Sequence, residues 1–171
     1  MHKIILCCSF LLLLSAPLYA EGSHISYALT ANKIENGNFR LGGELGIDLM
    51  KSFENGIELG AGMDVGIFMT KSYESLHDEA GQIVDLLLRA GYSFHKTLQI
   101  PFALRGGAGY GLGQIGNDTM KGEVYDISGI YAFNEKYALG LKYKKAHMTL
   151  TRPNTPSLDY AQIGCYLALN F

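Results

Sequence analysis

Apolar and polar residues alternate along most of this chain, and a period of two marks a β-strand with two different faces. From Arg40 to Leu49, one face carries Leu41, Gly43, Leu45, Ile47 and Leu49, and the other carries Arg40, Gly42, Glu44, Gly46 and Asp48. From Gly56 to Met69, the apolar set Ile57, Leu59, Ala61, Met63, Val65, Ile67 and Met69 opposes Glu58, Gly60, Gly62, Asp64, Gly66 and Phe68. Soluble strands usually run about five or six residues. A strand that crosses a membrane at a tilt needs roughly 9–11 for the hydrocarbon alone, and these alternations reach that length.

Six further segments follow the same rule and predict strands over His24 to Asn32, Gln82 to Tyr92, Gln99 to Leu112, Gly122 to Ala132, Tyr137 to Lys145 and Asp159 to Phe171. Ile83 and Leu87 break it, standing on the face of Asp85 and Arg89. The connections Lys51 to Asn55, Phe94 to Leu98 and Asn134 to Lys136 are short, as is Lys33 to Asn38. Thr70 to Gly81, Gly113 to Lys121 and Ala146 to Leu158 read as longer polar loops. Short turns at one end and longer loops at the other are the mark of an outer-membrane barrel. The expected fold is all-β, an eight-stranded antiparallel up-and-down transmembrane β-barrel, with Tyr92, Phe94, Phe133, Tyr137 and Phe171 as an aromatic girdle at the short-turn rim.

Charge changes the picture inside this barrel. The polar faces offer acidic Glu44, Asp48, Glu58, Asp64, Asp85 and Asp126, and basic Arg40, Arg89, Arg105, Lys142 and Lys144. In a soluble sandwich these are scattered surface charges. In a lipid-embedded barrel they point inward, where low dielectric favours pairing them. Gly107, Gly109, Gly111 and Gly113 share the polar face and leave room for long side chains from neighbouring strands. Eight strands enclose a space that side chains just fill, so the interior is expected to be plugged by its own charge network.

Composition adds limits. The 171 residues suit one domain, and 14 Lys+Arg against 16 Asp+Glu argue against a nucleic-acid partner. Lys3, an apolar run from Ile4 to Leu14, and a small residue at Ala20 form the layout of a secretory signal peptide over residues 1–20, leaving a barrel domain over 21–171. Removal of that segment takes Cys7 and Cys8 with it, and Cys165 alone makes no internal disulfide.

The run Ile163-Gly164-Cys165-Tyr166-Leu167-Ala168-Leu169-Asn170-Phe171 resembles the terminal strand by which the barrel-assembly machinery recognises its clients, with Leu167, Leu169 and Phe171 as the signal. Together with the segment Pro101 to Gly111, the mature chain resembles the porin-like family of small OmpA/OmpX-type outer-membrane barrels. The resemblance implies the outer membrane of a Gram-negative bacterium, contact with outer-membrane lipid and lipopolysaccharide, and surface loops that meet an extracellular ligand or host surface. The peptidoglycan-binding domain of full-length OmpA-like proteins is expected to be absent. The resemblance names an architecture and a place, not an activity.

Candidate chemistry is sparse. Gly111-Leu112-Gly113-Gln114-Ile115-Gly116 matches a dinucleotide fingerprint, but a polar stretch follows where a helix is required. His24, His77, His95 and His147 fall on different elements, so no metal or cofactor is expected. The loop Lys71 to Ala80, with Tyr73 among charges, is the best place for a ligand-contacting role. The segment from Ala146 to Tyr160 resembles the lipid A 3-O-deacylases, with threonine for serine and Leu150 for asparagine. That resemblance implies His147 as base, Thr149 as nucleophile and Asp159 as orienting acid. The favoured reading is a structural or surface-interaction barrel. The alternatives are a lipid A deacylase and a narrow pore.

Overall fold

In the computed structural model, residues 23–34, 39–71, 78–151 and 157–170 are described. The predicted signal peptide, Phe171 and the centre of the Lys71 to Ala80 loop lie outside them. Eight strands follow one another: β1 (His24–Ile34), β2 (Arg40–Ser52), β3 (Ile57–Lys71), β4 (Asp78–Ser93), β5 (Phe102–Ile115), β6 (Asp118–Ala132), β7 (Tyr137–Leu150) and β8 (Leu158–Asn170). Each pairs antiparallel with the next, and β8 pairs with β1 to close an up-and-down barrel.

The pairing fixes the shape of the barrel. A path of cross-strand partners starts at Leu169 and runs through Ile25, Ile47, Met63, Leu86, Tyr110, Glu123 and His147. It returns to β8 at Asp159, a stagger of ten residues (169 less 159). A stagger of that size forces strongly tilted strands, so strands of 11 to 16 residues wrap around an interior that the strand number of eight keeps narrow.

Alternation sorts the side chains as the sequence pattern predicts. Leu88 (76%), Leu41 (71%) and Leu29 (68%) are exposed on the outside, while Lys144 and Asp85 are fully buried inside. This inverts the arrangement of a soluble protein, where charged residues are almost never fully buried.

The two ends differ. At the end that holds both chain termini, β2 turns into β3 through Gly56, whose φ of 86° suits glycine. Asn134 Oδ1 accepts from the amides of Lys136 and Tyr137 at 2.9 Å and sets the β6–β7 turn. Between β4 and β5 a single helical turn, α1 (Phe94–Leu98), ends on Gln99 in the left-handed region (φ 56°). Aromatic rings gather here: Tyr92 with Phe94 at 5.0 Å, Phe94 with Phe102 at 5.9 Å, Tyr131 with Phe133 at 5.5 Å.

At the opposite end one expectation is corrected. The polar stretch Gly113 to Lys121 is not a long loop, because β5 runs to Ile115 and β6 starts at Asp118. Gly116 and Asn117 alone make the turn, with Gly116 at φ 55° in the position a type II′ hairpin reserves for glycine. Glycine-rich polar sequence looked like loop, yet the period of two continues through it. Similarly, β7 continues past Lys145 to Leu150, which shortens the Ala146 to Leu158 connection. The weakly patterned β6 pairs without interruption on both edges.

Candidate functional site

The interior is built on a rule that joins glycines to charges. Asp48 faces Gly62 across β2–β3, Asp64 faces Gly46 there too, Asp85 faces Gly111 across β4–β5, and Arg89 faces Gly107. A Cβ added to any of these four glycines would lie within 3 Å of the facing side chain. The missing Cβ is the space the charge occupies.

The charges form one network at two levels, joined by Asp64, which pairs with Arg89 on one side and with Lys144 on the other. Nearer the termini, Arg105 Nε donates to Glu58 Oε2 at 2.6 Å and its Nη1 contacts His24 Nδ1 at 2.9 Å. Glu58 Oε1 also accepts from Ser52 at 2.9 Å. Arg89 reaches three strands, donating to Asp48 at 3.0 Å, to Asp64 at 3.2 Å, and to Asp126. Farther up, Lys142 donates to Glu44 at 2.7 Å and to Asp64 at 3.1 Å.

Lys144 is the centre of the upper group. Glu44, Asp64 and Asp85 bring their carboxylates within 4.8 Å of one another, a set of oxygens of the kind that holds a divalent cation. The Lys144 ammonium stands among them, at 2.6 Å from Glu44, 3.0 Å from Asp64 and 2.6 Å from Asp85. The protein supplies its own cation there. Gln162 Nε2 adds a bond to Glu44 at 2.8 Å, and Tyr160 Oη lies 2.5 Å from Gln162 Oε1 and 2.6 Å from Asn32 Oδ1. Tyr160 and Asn32 were not among the predicted interior residues, although strand parity was the signal that marks them. Arg40, also predicted for the interior, stands half-buried at the first position of β2, at the mouth of the barrel.

A second correction concerns what fills the barrel. The charge network is only part of the plug. Phe68, Ile83, Leu87, Met120, Val124, Ala146, Met148, Leu158 and Tyr160 form a buried apolar cluster inside the same barrel. Ile83 and Leu87, the two breaks in the sequence alternation, belong to it. The Phe68 ring lies over Gly81 and packs against Tyr160 at 5.1 Å.

The residues of the deacylase resemblance sit on the outside. His147 and Asp159 are cross-strand partners, and His147 Nδ1 donates to Asp159 Oδ1 at 2.8 Å. Both side chains are more than half exposed. Thr149 shares the outward face with His147, but among the described residues no hydrogen bond joins them. The structure therefore pairs His147 with Asp159 and leaves the Thr149 hydroxyl apart. Leu167 and Leu169 of the terminal-strand motif face outward. Cys165 is exposed on the same outward face.

No protein-family model matches the chain, and no curated protein matches it. Solved structures do. Neisserial surface protein A is similar with a TM-score of 0.61 at 13% identity, over 88% of this chain and 97% of that one. The fold is that of the small eight-stranded outer-membrane barrels. Ail, the attachment invasion locus protein of Yersinia pestis, is similar with a TM-score of 0.56 at 13% identity, over 87% of this chain and 97% of that one. A second Ail structure, in complex with the heparin analogue sucrose octasulfate, gives 0.58 at 13% identity, over 87% and 97%. The resemblance to lipid A deacylases finds no support in these comparisons.

Proposed function

We propose that this chain is an outer-membrane barrel with a structural and surface-interaction role. It is exported with a cleaved signal peptide, inserted by the barrel-assembly machinery and surrounded by lipid. One observation carries the reading. Leucines and isoleucines ring the outside while lysines, arginines and carboxylates are sealed within. Water as the outer solvent would penalise both choices; lipid rewards both, and a closed barrel leaves no strand edge unpaired in it. The likeness of fold to two surface barrels supports the location. The sulfated ligand bound to Ail supports a role in which the outer end meets anionic extracellular partners.

The test is fractionation of a Gram-negative host that expresses the full chain, followed by gel mobility with and without heating. The protein is expected in the outer-membrane fraction, with a folded band that shifts on boiling. A soluble monomer in the absence of detergent overturns the reading.

A second reading, ester hydrolysis on lipid A, is favoured by the His147–Asp159 hydrogen bond alone. It requires Thr149 to come within reach of His147 on substrate binding. Mass spectrometry of lipid A from cells with and without the protein decides between them. Loss of one ester-linked acyl chain, abolished by His147→Ala, replaces the first reading with the second.

A further inference from the structure

The charges of the interior do not balance. Among the described residues, six buried carboxylates (Glu44, Asp48, Glu58, Asp64, Asp85 and Asp126) share the lumen with four buried bases, Arg89, Arg105, Lys142 and Lys144. Protonation of His24, which lies 3.4 Å from Asp48, makes the bases five and still leaves one negative charge over. Arg40 does not make up the difference. It lies six positions along β2 from Gly46, which puts it roughly 20 Å from the rung that carries Asp85. Across that rung Gly46, Asp64, Asp85 and Gly111 are successive partners, so two like charges stand directly opposite each other. Each aspartate turns Oδ2 to Lys144, and each leaves Oδ1 buried without a hydrogen-bond partner.

We propose that Asp85 is a proton-binding site: its carboxyl is neutral in the folded barrel, and the proton sits on Oδ1. Two observations select this residue. The first is how the cations are shared. Asp64 has three about it, Arg89 at 3.2 Å, Lys142 at 3.1 Å and Lys144 at 3.0 Å. Glu44 has Lys142 at 2.7 Å and Lys144 at 2.6 Å, and accepts from Gln162 at 2.8 Å. Among the described residues, Asp85 pairs with Lys144 alone, at 2.6 Å. Arg89, on the same strand and face, turns instead to Asp48, Asp64 and Asp126. Tyr160 of β8, the other titratable neighbour, brings no cation and holds its hydroxyl between Asn32 and Gln162. The second observation is where the free oxygen lies. The place of a Gly111 Cβ is 2.6 Å from Asp85 Oδ1 and 2.8 Å from both Met148 Cε and Val124 Cγ2, so that oxygen borders the apolar layer. A charge that burial leaves unpaired is neutralised instead of kept. A proton needs one oxygen, whereas a divalent cation takes about six or more. With Asp85 neutral, Glu44 and Asp64 are matched by Lys142 and Lys144. The proton is taken up from water as the barrel closes, and the site holds or fails independently of any surface role.

The experiment uses protein expressed from the full chain and folded in detergent, with heat-dependent gel mobility confirming each variant as a barrel. Infrared spectroscopy at neutral pH is expected to show the carbonyl band of a protonated carboxyl in wild type, lost in Asp85→Asn and kept in Asp48→Asn. Unfolding in urea supplies a second readout. The unfolded chain ionises Asp85 and releases its proton, so rising pH favours unfolding. From about pH 6 to about pH 8 the unfolding constant of wild type is expected to rise about tenfold more per pH unit than that of Asp85→Asn. Absence of the band from wild type overturns the proposal, as does a band that persists in folded Asp85→Asn or is lost equally in folded Asp48→Asn. Equal pH dependence of wild type and Asp85→Asn overturns it as well. Wild-type stability that depends on sodium or calcium at constant ionic strength, with the dependence lost in Asp85→Asn, assigns the free oxygen to a metal ion and overturns it too. Where Asp85→Asn fails to fold, isotope-labelled aspartate in wild type decides: a band that shifts with the label supports the proposal, and a band that does not shift overturns it.

Discussion

Asp48 and Gly62 stand opposite each other across β2 and β3, and the Asp48 carboxylate occupies the place where a side chain of Gly62 would begin. A Cβ at Gly62 would lie 2.1 Å from Asp48 Oδ1 and 2.8 Å from Arg89 Nε. Both neighbours are pinned, since Arg89 Nε and Asp48 Oδ1 are hydrogen-bonded at 3.0 Å. Neither atom can withdraw without breaking an ion pair in a sealed interior.

Gly62→Ala is therefore expected to destabilise the folded barrel by about 1–3 kcal/mol, the usual cost of overpacking. Gly43 on the neighbouring strand is the control, because a Cβ there meets nothing closer than the Ala28 carbonyl oxygen at 3.7 Å. Gly43→Ala is expected to stay within about 0.5 kcal/mol of wild type. Urea unfolding in lipid vesicles, followed by gel mobility, measures both. Equal effects at the two positions would remove the glycine–charge rule.

The same pair shows what the sequence makes legible. Parity alone places Gly62 and Asp48 inside and names both strands, because a one-residue slip would move a whole apolar face into the interior. It does not say that the two are partners. Partnership depends on the ten-residue stagger, which accumulates from eight separate pairings and has no local signature. The hairpin at Gly116 was misread for a related reason: glycine and asparagine signal a turn but do not fix its length. The apolar cluster around Met148 was missed because the polar faces were read as uniformly polar. Ile83 and Leu87 were visible as exceptions, and only closure of the barrel brings them beside Met120 and Leu158. His147 and Asp159 were legible as residues, while their hydrogen bond depends on the β7–β8 register.

Lys144→Met tests the cation at the centre of the upper group. The substitution keeps the volume and leaves Glu44, Asp64 and Asp85 facing one another without the ammonium. Breaking a buried pair from one side costs about 3–5 kcal/mol, since the orphaned charge remains. A triple variant that adds Glu44→Gln and Asp85→Asn is expected to recover part of this loss. Asp64 then still keeps Lys142 at 3.1 Å and Arg89 at 3.2 Å. A triple variant no more stable than Lys144→Met would mean that the ammonium acts through packing and not through charge.

Gly116 tests the corrected hairpin. At φ 55° a β-branched residue is strained, so Gly116→Val is expected to cost roughly 1–2 kcal/mol. Asn117→Ala, beside it, lacks that backbone demand, since the positive-φ residues other than glycine are limited to Gln99 among those described. The urea midpoint is expected to fall for Gly116→Val and to hold for Asn117→Ala. Equal midpoints would restore the long flexible loop read from the sequence.

Conductance separates the two halves of the plug. Ions crossing the barrel meet the Arg89 and Lys144 groups and also the apolar layer of Phe68, Met120, Met148, Leu158 and Tyr160. Apolar constrictions stop ions by excluding water, independently of the charges beneath them. Wild type is thus expected to show no large steady openings in a planar bilayer, and Arg89→Gln is expected to stay closed because its apolar layer is untouched. Phe68→Ser with Met148→Ser wets that layer and is expected to give brief openings without steady current, since the ionic groups still fill the lower half. Large steady openings in wild type would establish the pore. Steady openings in Arg89→Gln would show that the charge network alone is the seal.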